Sequence, residues 1–223
     1  LMGWASCSHS GTGHAALPDP RAVDKSVPEY KNPFHPSTYA HFVARKDYRK
    51  TYDVYKDDTL LNRQPKKSRK IFVCLDEQRG QYLVDGLVAM DFPLSSGVKA
   101  YPTKTGDYTV ISKKEDHASN LYGKMYDAEG KCINYNAEST DPIPEGGRFD
   151  GSPMPYWQRL TNAGLGLHVG KVRRHPVSHG CVRLPRNVAE ILYRQTSIGT
   201  PVTIQKTPLP VPEAQKIPPA QQQ

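Results

Sequence analysis

Lys70-Ile71-Phe72-Val73-Cys74-Leu75 sets the fold class of this chain. β-Branched and aromatic residues dominate this run, and a turn-forming stretch at 76–80 separates it from a second apolar run at 81–84. Asp85-Gly86 marks another tight turn before a third run at 87–94. Short apolar runs separated by such turns predict a β meander, so the domain is expected to be mainly β.

The same pattern continues to about residue 205. Residues 105–112 alternate well enough to predict one strand, and residues 200–204 predict the last strand. A helix is expected to open at Pro185, because apolar residues recur there at helical spacing. These residues are Leu184, Val188, Ile191 and Leu192. Short strands and one amphipathic helix indicate a compact sheet domain over residues 70–205.

Residues 113–153 interrupt the regular pattern with many Gly, Asn, Asp and Pro residues. A long excursion of this kind often builds a lid or a binding wall over a rigid sheet. A surface insertion without function is the alternative.

The two flanks have a different composition. Residues 1–69 are rich in turn signals and predict an export-type segment followed by a linker, with one short helix or an adhesive loop at 38–49. The Pro- and Gln-rich tail at 206–223 has little to bury and is expected to be disordered. The chain is therefore interpreted as one domain between two extensions.

The chain carries 30 Lys and Arg against 22 Asp and Glu, a formal net charge of +8. This excess favours a polyanionic partner such as nucleic acid, anionic lipid or an anionic wall polymer. Basic clusters occur at residues 45–50, 66–70 and 171–174. The first two lie in polar stretches and match no nucleic-acid-binding module, so a solvated basic face is expected and nucleic acid is not. No apolar run approaches the roughly 18 residues that a membrane-spanning helix needs.

Leu1-Met2-Gly3-Trp4-Ala5-Ser6-Cys7 has the composition of the end of an export signal. It resembles a bacterial lipoprotein cleavage site, in which Cys7 would carry lipid and anchor the protein to a membrane, although Trp4 stands where a small aliphatic residue is usual. The four cysteines are too sparse for a dense disulfide framework. With Cys7 lipidated and Cys181 reactive, only Cys74 and Cys132 could pair.

Three histidines and one cysteine are concentrated within fourteen residues: His168, His175, His179 and Cys181. A cysteine attacks a carbonyl carbon as the thiolate, so a nearby imidazole must take the proton of the thiol. The interval between His168 and Cys181 allows a strand, a turn and a return that bring the two side chains together across paired strands. Cys181 is therefore the candidate nucleophile and His168 its candidate base.

Gly180, directly before Cys181, is expected to shape the backbone of the site. A residue without Cβ permits a sharp turn whose N–H groups converge on a developing oxyanion. The expected donors are the amides of His179, Gly180 and Cys181.

Two alternatives to a catalytic site are a zinc site and a non-catalytic binding module. Histidine and cysteine are zinc ligands, but structural zinc sites usually show two closely spaced ligand pairs, and no second pair is present in the sequence. No metal and no cofactor are therefore expected. A non-catalytic wall-binding module would need only the basic surface.

Ser178-His179-Gly180-Cys181-Val182-Arg183, preceded by Gly166-Leu167-His168, closely resembles the active-site signature of L,D-transpeptidases with a YkuD-like catalytic domain. Further similar segments extend the resemblance over about residues 69–205. They are Ile71-Phe72-Val73, Ser95-Ser96-Gly97, Thr103-Lys104-Thr105-Gly106-Asp107-Tyr108, Met154-Pro155-Tyr156-Trp157 and Gly199-Thr200-Pro201-Val202-Thr203-Ile204.

The resemblance implies a β-sandwich with one or two short helices and disordered termini. It implies an enzyme of cell-wall biogenesis and cell shape, on the periplasmic side of the bacterial envelope. The enzyme would act on peptidoglycan stem peptides through a thioester and pass the acyl group to a second stem or another wall-linked acceptor. Transfer to water would make it an L,D-carboxypeptidase. Acylation by carbapenems is a further implication.

The resemblance also implies roles for individual residues. Cys181 matches the nucleophile and His168 the general base, while His179 and Gly180 shape the oxyanion site beside Ser178. Three further residues match positions at the substrate: Arg183, Tyr156 and Trp157. A guanidinium at position 183 could hold a substrate carboxylate through a bidentate pair. Because Val169 follows His168, a backbone carbonyl is expected to orient the imidazole.

Overall fold

The computed structural model describes residues 18–65 and 68–216. Its first sheet has six strands in the order β1-β4-β3-β2-β13-β5. The strands are β1 (Tyr55–Lys56), β2 (Arg69–Cys74), β3 (Arg79–Val84), β4 (Leu87–Pro93), β5 (Gly106–Thr109) and β13 (Pro201–Gln205). The predicted meander is present as the antiparallel β2-β3-β4 unit, and β13 joins β2 in parallel.

The second sheet has four strands in the order β12-β11-β10-β6. They are β6 (Ser112–Lys114), β10 (Trp157–Arg159), β11 (Gly166–Val169) and β12 (Val182–Leu184). The single strand predicted at 105–112 is corrected to two strands in different sheets. The chain changes sheet at residues 110 and 111, because the Val110 N–H donates to the Thr200 carbonyl and the Ile111 N–H donates to the Arg159 carbonyl.

The main apolar core lies between these two sheets and helix α3 (Arg186–Gln195). One face of the first sheet supplies residues such as Ile71 and Val73, and the second sheet supplies Leu167 and Val182. Helix α3 begins directly after Pro185, as expected, and buries its apolar stripe. Full burial of a large aliphatic side chain contributes roughly 1.5–3 kcal/mol. The predicted sandwich-like, mainly β fold is confirmed.

Residues 118–153, called the flap here, form a third sheet of three antiparallel strands with β7 in the centre. The strands are β7 (Ala118–Tyr126), β8 (Cys132–Glu138) and β9 (Arg148–Pro153). The excursion predicted at 113–153 therefore has regular structure of its own.

Most of residues 18–65 pack against the outer face of the six-stranded sheet, while Leu60 and Leu61 of the same segment are buried in the main core. Helix α1 (Tyr39–Ala44) and helix α2 (Asp58–Asn62) lie in this segment, and α1 confirms the short helix predicted at 38–49. Aromatic residues of the segment form a second apolar cluster with Val88 of the sheet. The interpretation of this segment as a linker is corrected, because a linker would leave these rings in water.

A buried ion pair joins the N-terminal segment to the sheet. Asp91 of β4 and Arg79 of β3 are both fully buried, and the Asp91 carboxylate accepts hydrogen bonds from Arg79, Gln81, Tyr39 and Tyr48. The two tyrosine hydroxyls lie 2.6 and 2.9 Å from the carboxylate oxygen. Burial together with the charge of Asp91 raises the pKa of both phenols.

Replacement of Asp91 by Ala is expected to lower the free energy of unfolding by about 3–5 kcal/mol, because the Arg79 charge would remain buried without its carboxylate counter-ion. Urea unfolding followed by far-UV circular dichroism measures this change. Asp150→Ala is the matched control, since the Asp150 pair with Arg148 is exposed and contributes about 1 kcal/mol or less. Equal effects of the two substitutions would contradict this account.

The prediction that the C-terminal tail is disordered is wrong for its described residues. Val211 is 4% exposed within the second apolar cluster, and the Gln215 side chain exchanges two hydrogen bonds with the backbone of Val88. Residues 208–216 are therefore packed against the sheet rather than disordered. Cys7, with its predicted lipid, lies outside the described residues. Across residues 18–65 and 68–216, every helix is too short or too polar to cross a membrane.

Candidate active site

The parallel pair of β11 and β12 brings the two predicted catalytic residues to one face of the second sheet. Leu167 lies opposite Val182, and both are buried in the core. Because side chains alternate along a strand, His168 and Cys181 lie on the opposite face, with Cys181 one register step before Val182. Strand spacing and rise place their Cα atoms roughly 8 Å apart on a diagonal. The return predicted between them is corrected to a parallel crossover formed by residues 170–181.

The His168 imidazole is oriented by a backbone carbonyl, as its sequence context indicated. Its Nδ1 lies 2.7 Å from the Val169 carbonyl oxygen. Because a carbonyl only accepts, Nδ1 carries the proton and Nε2 keeps its lone pair. The pKa of His168 is lowered to about 4, chiefly by burial and with smaller contributions from the charges of Arg183 and His117, while the Val169 hydrogen bond opposes the shift. The imidazole is therefore neutral at pH 7 and can accept a proton.

The Cys181 thiol is held by the loop that precedes β11. It donates to the Gly164 carbonyl oxygen at 3.3 Å, and the Gly166 N–H donates to its sulfur. Burial raises the pKa of the thiol, while the Gly166 N–H and the Arg183 charge oppose this rise. The site therefore has a neutral thiol and a neutral imidazole on the same face of the sheet, and a proton must move when the sulfur reacts.

Gly180 adopts φ +112, a backbone conformation that side chains with Cβ rarely adopt. The buried Ser178 hydroxyl donates to the Cys181 carbonyl at 2.5 Å and accepts from the Gly180 N–H at 3.2 Å. The Gly180 amide is thus already bonded, which corrects its expected role as a donor. The N–H groups of His179 and Cys181 have no acceptor among residues 18–65 and 68–216, so these two amides fit an oxyanion site.

Thr103 is a site residue that we did not single out from the sequence, although it lies in one of the segments similar to the family. Its buried hydroxyl accepts from the Gly97 N–H at 2.8 Å and donates to the Gly180 carbonyl at 2.6 Å. In a trans peptide the N–H points away from the C=O. By holding the Gly180 carbonyl, Thr103 therefore directs the Cys181 N–H to the opposite side.

Substitution of Thr103 by Val is expected to lower kcat roughly 10- to 100-fold with little change in KM, because an oxyanion contact is made chiefly in the transition state. Loss of the hydroxyl also leaves the buried Gly97 N–H without its acceptor, at a cost of about 1–3 kcal/mol in stability. Steady-state kinetics of terminal amino-acid release measures the first effect. Thr103→Ser keeps the hydroxyl and should restore kcat; a Ser variant as slow as the Val variant would refute this role.

The flap reaches the candidate site through one aromatic residue. The Tyr122 ring stacks on the His179 ring, with 4.4 Å between centroids and 19° between planes, and the Tyr101 ring lies 4.8 Å from the same histidine. Burial raises the pKa of Tyr122, and Glu138, Tyr101 and Cys181 add to this rise. His179 therefore links the catalytic crossover to the flap.

The three residues predicted to contact substrate do not all lie on the same face of the second sheet. Trp157 is 3% exposed, and its ring centroid lies 5.9 Å from that of His168, so it belongs to the catalytic face. Arg183 lies opposite His168 in the strand register and is on the same face. The Tyr156 ring instead packs at 5.6 Å against Tyr193 of α3, on the side of the core.

The basic cluster at 171–174 does not form one solvated face. The half-buried Arg174 guanidinium donates to the carbonyl oxygens of Arg49, Thr51 and Glu77. The catalytic crossover is thereby attached to the N-terminal segment. His175 is exposed.

The other two cysteines within the described residues lie away from the site. Cys74 of β2 and Cys132 of β8 are both free thiols, and burial raises the pKa of Cys74 to about 11. Within the described part of the chain, three or more side chains of metal-ligand type do not converge at any point.

Comparison with known proteins identifies the family of the chain. The family model for the L,D-transpeptidase catalytic domain (YkuD) matches residues 68–204. The chain is 32% identical over 121 residues to a curated protein named probable L,D-transpeptidase 3 of Mycobacterium tuberculosis. The alignment covers 51% of this chain and 38% of that relative, so the chain spans well under half of the relative's length.

The comparison with solved structures gives weaker matches. An L,D-transpeptidase from Mycobacterium smegmatis is 22% identical, with a TM-score of 0.48 over 62% of this chain and 58% of the other. An L,D-transpeptidase from Stackebrandtia nassauensis is 22% identical, with a TM-score of 0.47 over 74% and 65% of the two chains. Because the family model covers more than half of the chain, this protein belongs to the YkuD family of L,D-transpeptidase catalytic domains.

Proposed function

We propose that this protein is a cysteine-dependent L,D-transpeptidase that acts on peptidoglycan stem peptides in the bacterial cell envelope. The observation that carries this proposal is the placement of Cys181 and a neutral His168 on one face of adjacent parallel strands. Acyl transfer needs a nucleophile, a base and a site that stabilises the oxyanion. The unbonded amides of His179 and Cys181 supply the oxyanion site.

The first half-reaction forms a thioester. His168 Nε2 takes the thiol proton as Cys181 Sγ attacks the carbonyl carbon of the third stem residue. The carbonyl oxygen becomes an oxyanion that the amides of His179 and Cys181 stabilise. The C–N bond to the terminal D-amino acid then breaks, and the imidazolium returns its proton to the leaving amine.

The second half-reaction transfers the acyl group. An acceptor amine attacks the thioester carbon and His168 takes a proton from it, after which the C–S bond breaks and Cys181 regains a proton. A stem-peptide acceptor gives a cross-link, and a lysine of a wall-linked protein gives an anchored protein. Water as acceptor gives an L,D-carboxypeptidase, which uses the same site.

The function is tested with defined stem tetrapeptides and isolated sacculi. We expect release of the terminal D-amino acid, and a mass increase on Cys181 equal to the acyl group when turnover is stopped early. A carbapenem should add its own mass at the same cysteine. The products distinguish the acceptors: a peptide dimer indicates transpeptidation, and a tripeptide alone indicates the carboxypeptidase.

A non-catalytic wall-binding module makes the opposite prediction for the same materials. Such a module would bind sacculi without altering their composition and would form no adduct. Unchanged sacculi together with an unmodified Cys181 would overturn the proposed function.

A further inference from the structure

Arg174 attaches the catalytic crossover to the N-terminal segment. Its guanidinium donates to the carbonyl oxygens of Arg49, Thr51 and Glu77, and the bonds to Arg49 and Glu77 measure 2.5 and 2.9 Å. Two of these acceptors, at positions 49 and 51, lie outside residues 68–204, the part of the chain that the family model matches. A side chain of the catalytic domain is therefore held by a segment that lies outside the family match.

The Thr51 carbonyl is also held by the six-stranded sheet. It accepts a second hydrogen bond from Arg79 Nη1 at 3.2 Å, and the Asp53 carbonyl accepts one from Arg79 Nη2 at 2.9 Å. Arg79 is fully buried in β3 and forms an ion pair with Asp91 of β4. The backbone that accepts the bonds of Arg174 is thus anchored in the sheet, so it can hold the crossover in one place.

Arg174 occupies its position at a cost to stability. Its backbone adopts φ +59, in the left-handed region that a residue with Cβ enters at a cost and that glycine adopts freely. Its Nε is buried and has no acceptor among residues 18–65 and 68–216, which is a second cost. Strained residues of this kind persist where surrounding contacts hold them, and they cluster at functional sites. The guanidinium contacts therefore point to a role in the site.

A short stretch of chain connects Arg174 to Ser178, the residue that bonds the backbone of the oxyanion site. Residues 175–176 in this stretch are exposed. The N–H groups of Val177 and Ser178 then donate to the Ser96 carbonyl, at 2.8 and 3.1 Å. Arg174 fixes one end of the stretch and Ser96 fixes the other, so both ends determine where Ser178 lies.

The position of Ser178 determines the orientation of the amides that face the oxyanion. Its hydroxyl donates to the Cys181 carbonyl and accepts from the Gly180 N–H. Because each peptide unit is planar, a shift of Ser178 also turns the neighbouring N–H groups. A misplacement of roughly 1 Å, caused by a change far from the chemistry, can lower the rate about 100-fold.

We propose that Arg174 is a positioning residue for acyl transfer, which holds the oxyanion donors in place by attaching the crossover to residues 49–51. This proposal rests on the proposed function and adds the N-terminal segment to the parts of the chain that the reaction needs. The Arg174 guanidinium is directed to that segment, so its effect on the reaction is exerted through Ser178.

Arg174→Met removes the guanidinium and keeps a long side chain. We expect kcat for terminal D-amino-acid release to fall roughly 10- to 100-fold, with KM changed by less than about twofold, because the oxyanion contact is made chiefly in the transition state. The rate of carbapenem acylation should fall by a similar factor. Rates are measured where circular dichroism shows the variant to be fully folded, so that the comparison concerns the folded state.

Two further variants separate positioning from stability and from charge. Arg173→Met is the matched control, because the Arg173 side chain is exposed in the same loop and its loss should leave kcat unchanged. Arg174→Gly removes the guanidinium and relieves the backbone strain, so it should unfold at higher urea than Arg174→Met and still be at least as slow. A wild-type kcat in either Arg174 variant, or an equal loss in Arg173→Met, would overturn the proposal.

Hydrogen exchange separates this proposal from the proposed function, because it needs no turnover. The N–H groups of Val177, Ser178 and Gly180 are hydrogen-bonded in the wild type. In Arg174→Met we expect peptides that cover residues 175–181 to exchange severalfold faster, while β2 and β3 stay unchanged. Unchanged exchange in the crossover, or an equal rise throughout the sheet, would refute the attachment even where no peptide is cleaved. Faster exchange in the variant together with a wild type that cleaves no peptide counts against the enzyme assignment alone.

Discussion

Cys181→Ala is expected to lower kcat/KM for terminal amino-acid release by at least about 10⁴-fold, because no other group at the site can form the acyl-enzyme bond. The expected loss comes with an unchanged fold, since the thiol contributes only hydrogen bonds with Gly164 and Gly166, and Ala keeps the Cβ. Intact-protein mass spectrometry should show no adduct with stem peptide or carbapenem.

Cys132→Ala provides the matched control. Cys132 is a free thiol on the flap strand β8, so its removal should leave both turnover and the mass of the adduct unchanged. Turnover by Cys181→Ala near the wild-type rate would refute the nucleophile and, with it, the thioester route.

His168→Gln is expected to lower kcat/KM by about 10²- to 10⁴-fold, the usual contribution of a positioned general base. Glutamine has a similar size but no basic nitrogen to take the Cys181 proton. The rate of carbapenem acylation should fall in parallel, because the same proton transfer activates the sulfur. His175→Gln is the control, since His175 is exposed and bonds only to the Pro176 carbonyl.

The pH profile of the wild type gives an independent measure of this role. Burial lowers the pKa of His168 to about 4, so the base should remain unprotonated as pH falls from 7 to about 5. The acid limb of kcat/KM is therefore expected well below pH 6.5, the ordinary value for histidine. An acid limb at 6.5 or above would show that the imidazole is not buried as described.

The lowered pKa of His168 also makes the stability of the fold depend on pH. Between pH 6.5 and about 4 the unfolded chain takes up a proton on His168 that the folded chain does not, so the free energy of unfolding falls as pH falls through this window. Activity measured near pH 5 must therefore be accompanied by a fold control, such as circular dichroism at the same pH.

The N-terminal segment belongs to the catalytic module in a physical sense, although the family match begins at residue 68. Arg174 of the catalytic crossover donates to the carbonyl oxygens of Arg49 and Thr51, and Arg79 donates to those of Thr51 and Asp53. Removal of residues 18–65 would leave two guanidinium groups without these acceptors and expose the outer face of the six-stranded sheet.

Much of the fold could be predicted from local pattern. Alternation and turn residues identified β2, β3 and β4, and 3.6-residue spacing identified α3, because each signal lies within one element. The chemistry of Cys181 and His168 was also readable, since a thiol and an imidazole in one motif restrict the plausible reactions. Local pattern failed at residues 105–112, where one alternating run divides between two sheets.

The sequence by itself predicted the β2-β3-β4 meander, helix α3 and the candidate catalytic side chains, because each of these signals is local. Only the tertiary structure decided that β11 and β12 pair in parallel, that the Gly180 amide is occupied by Ser178, and that Tyr156 faces α3 while Trp157 faces the catalytic pair. The physical reason is that propensity and periodicity act over a few neighbouring residues. The face that a strand presents, and the partner that a buried polar group finds, depend on contacts between residues distant in the chain.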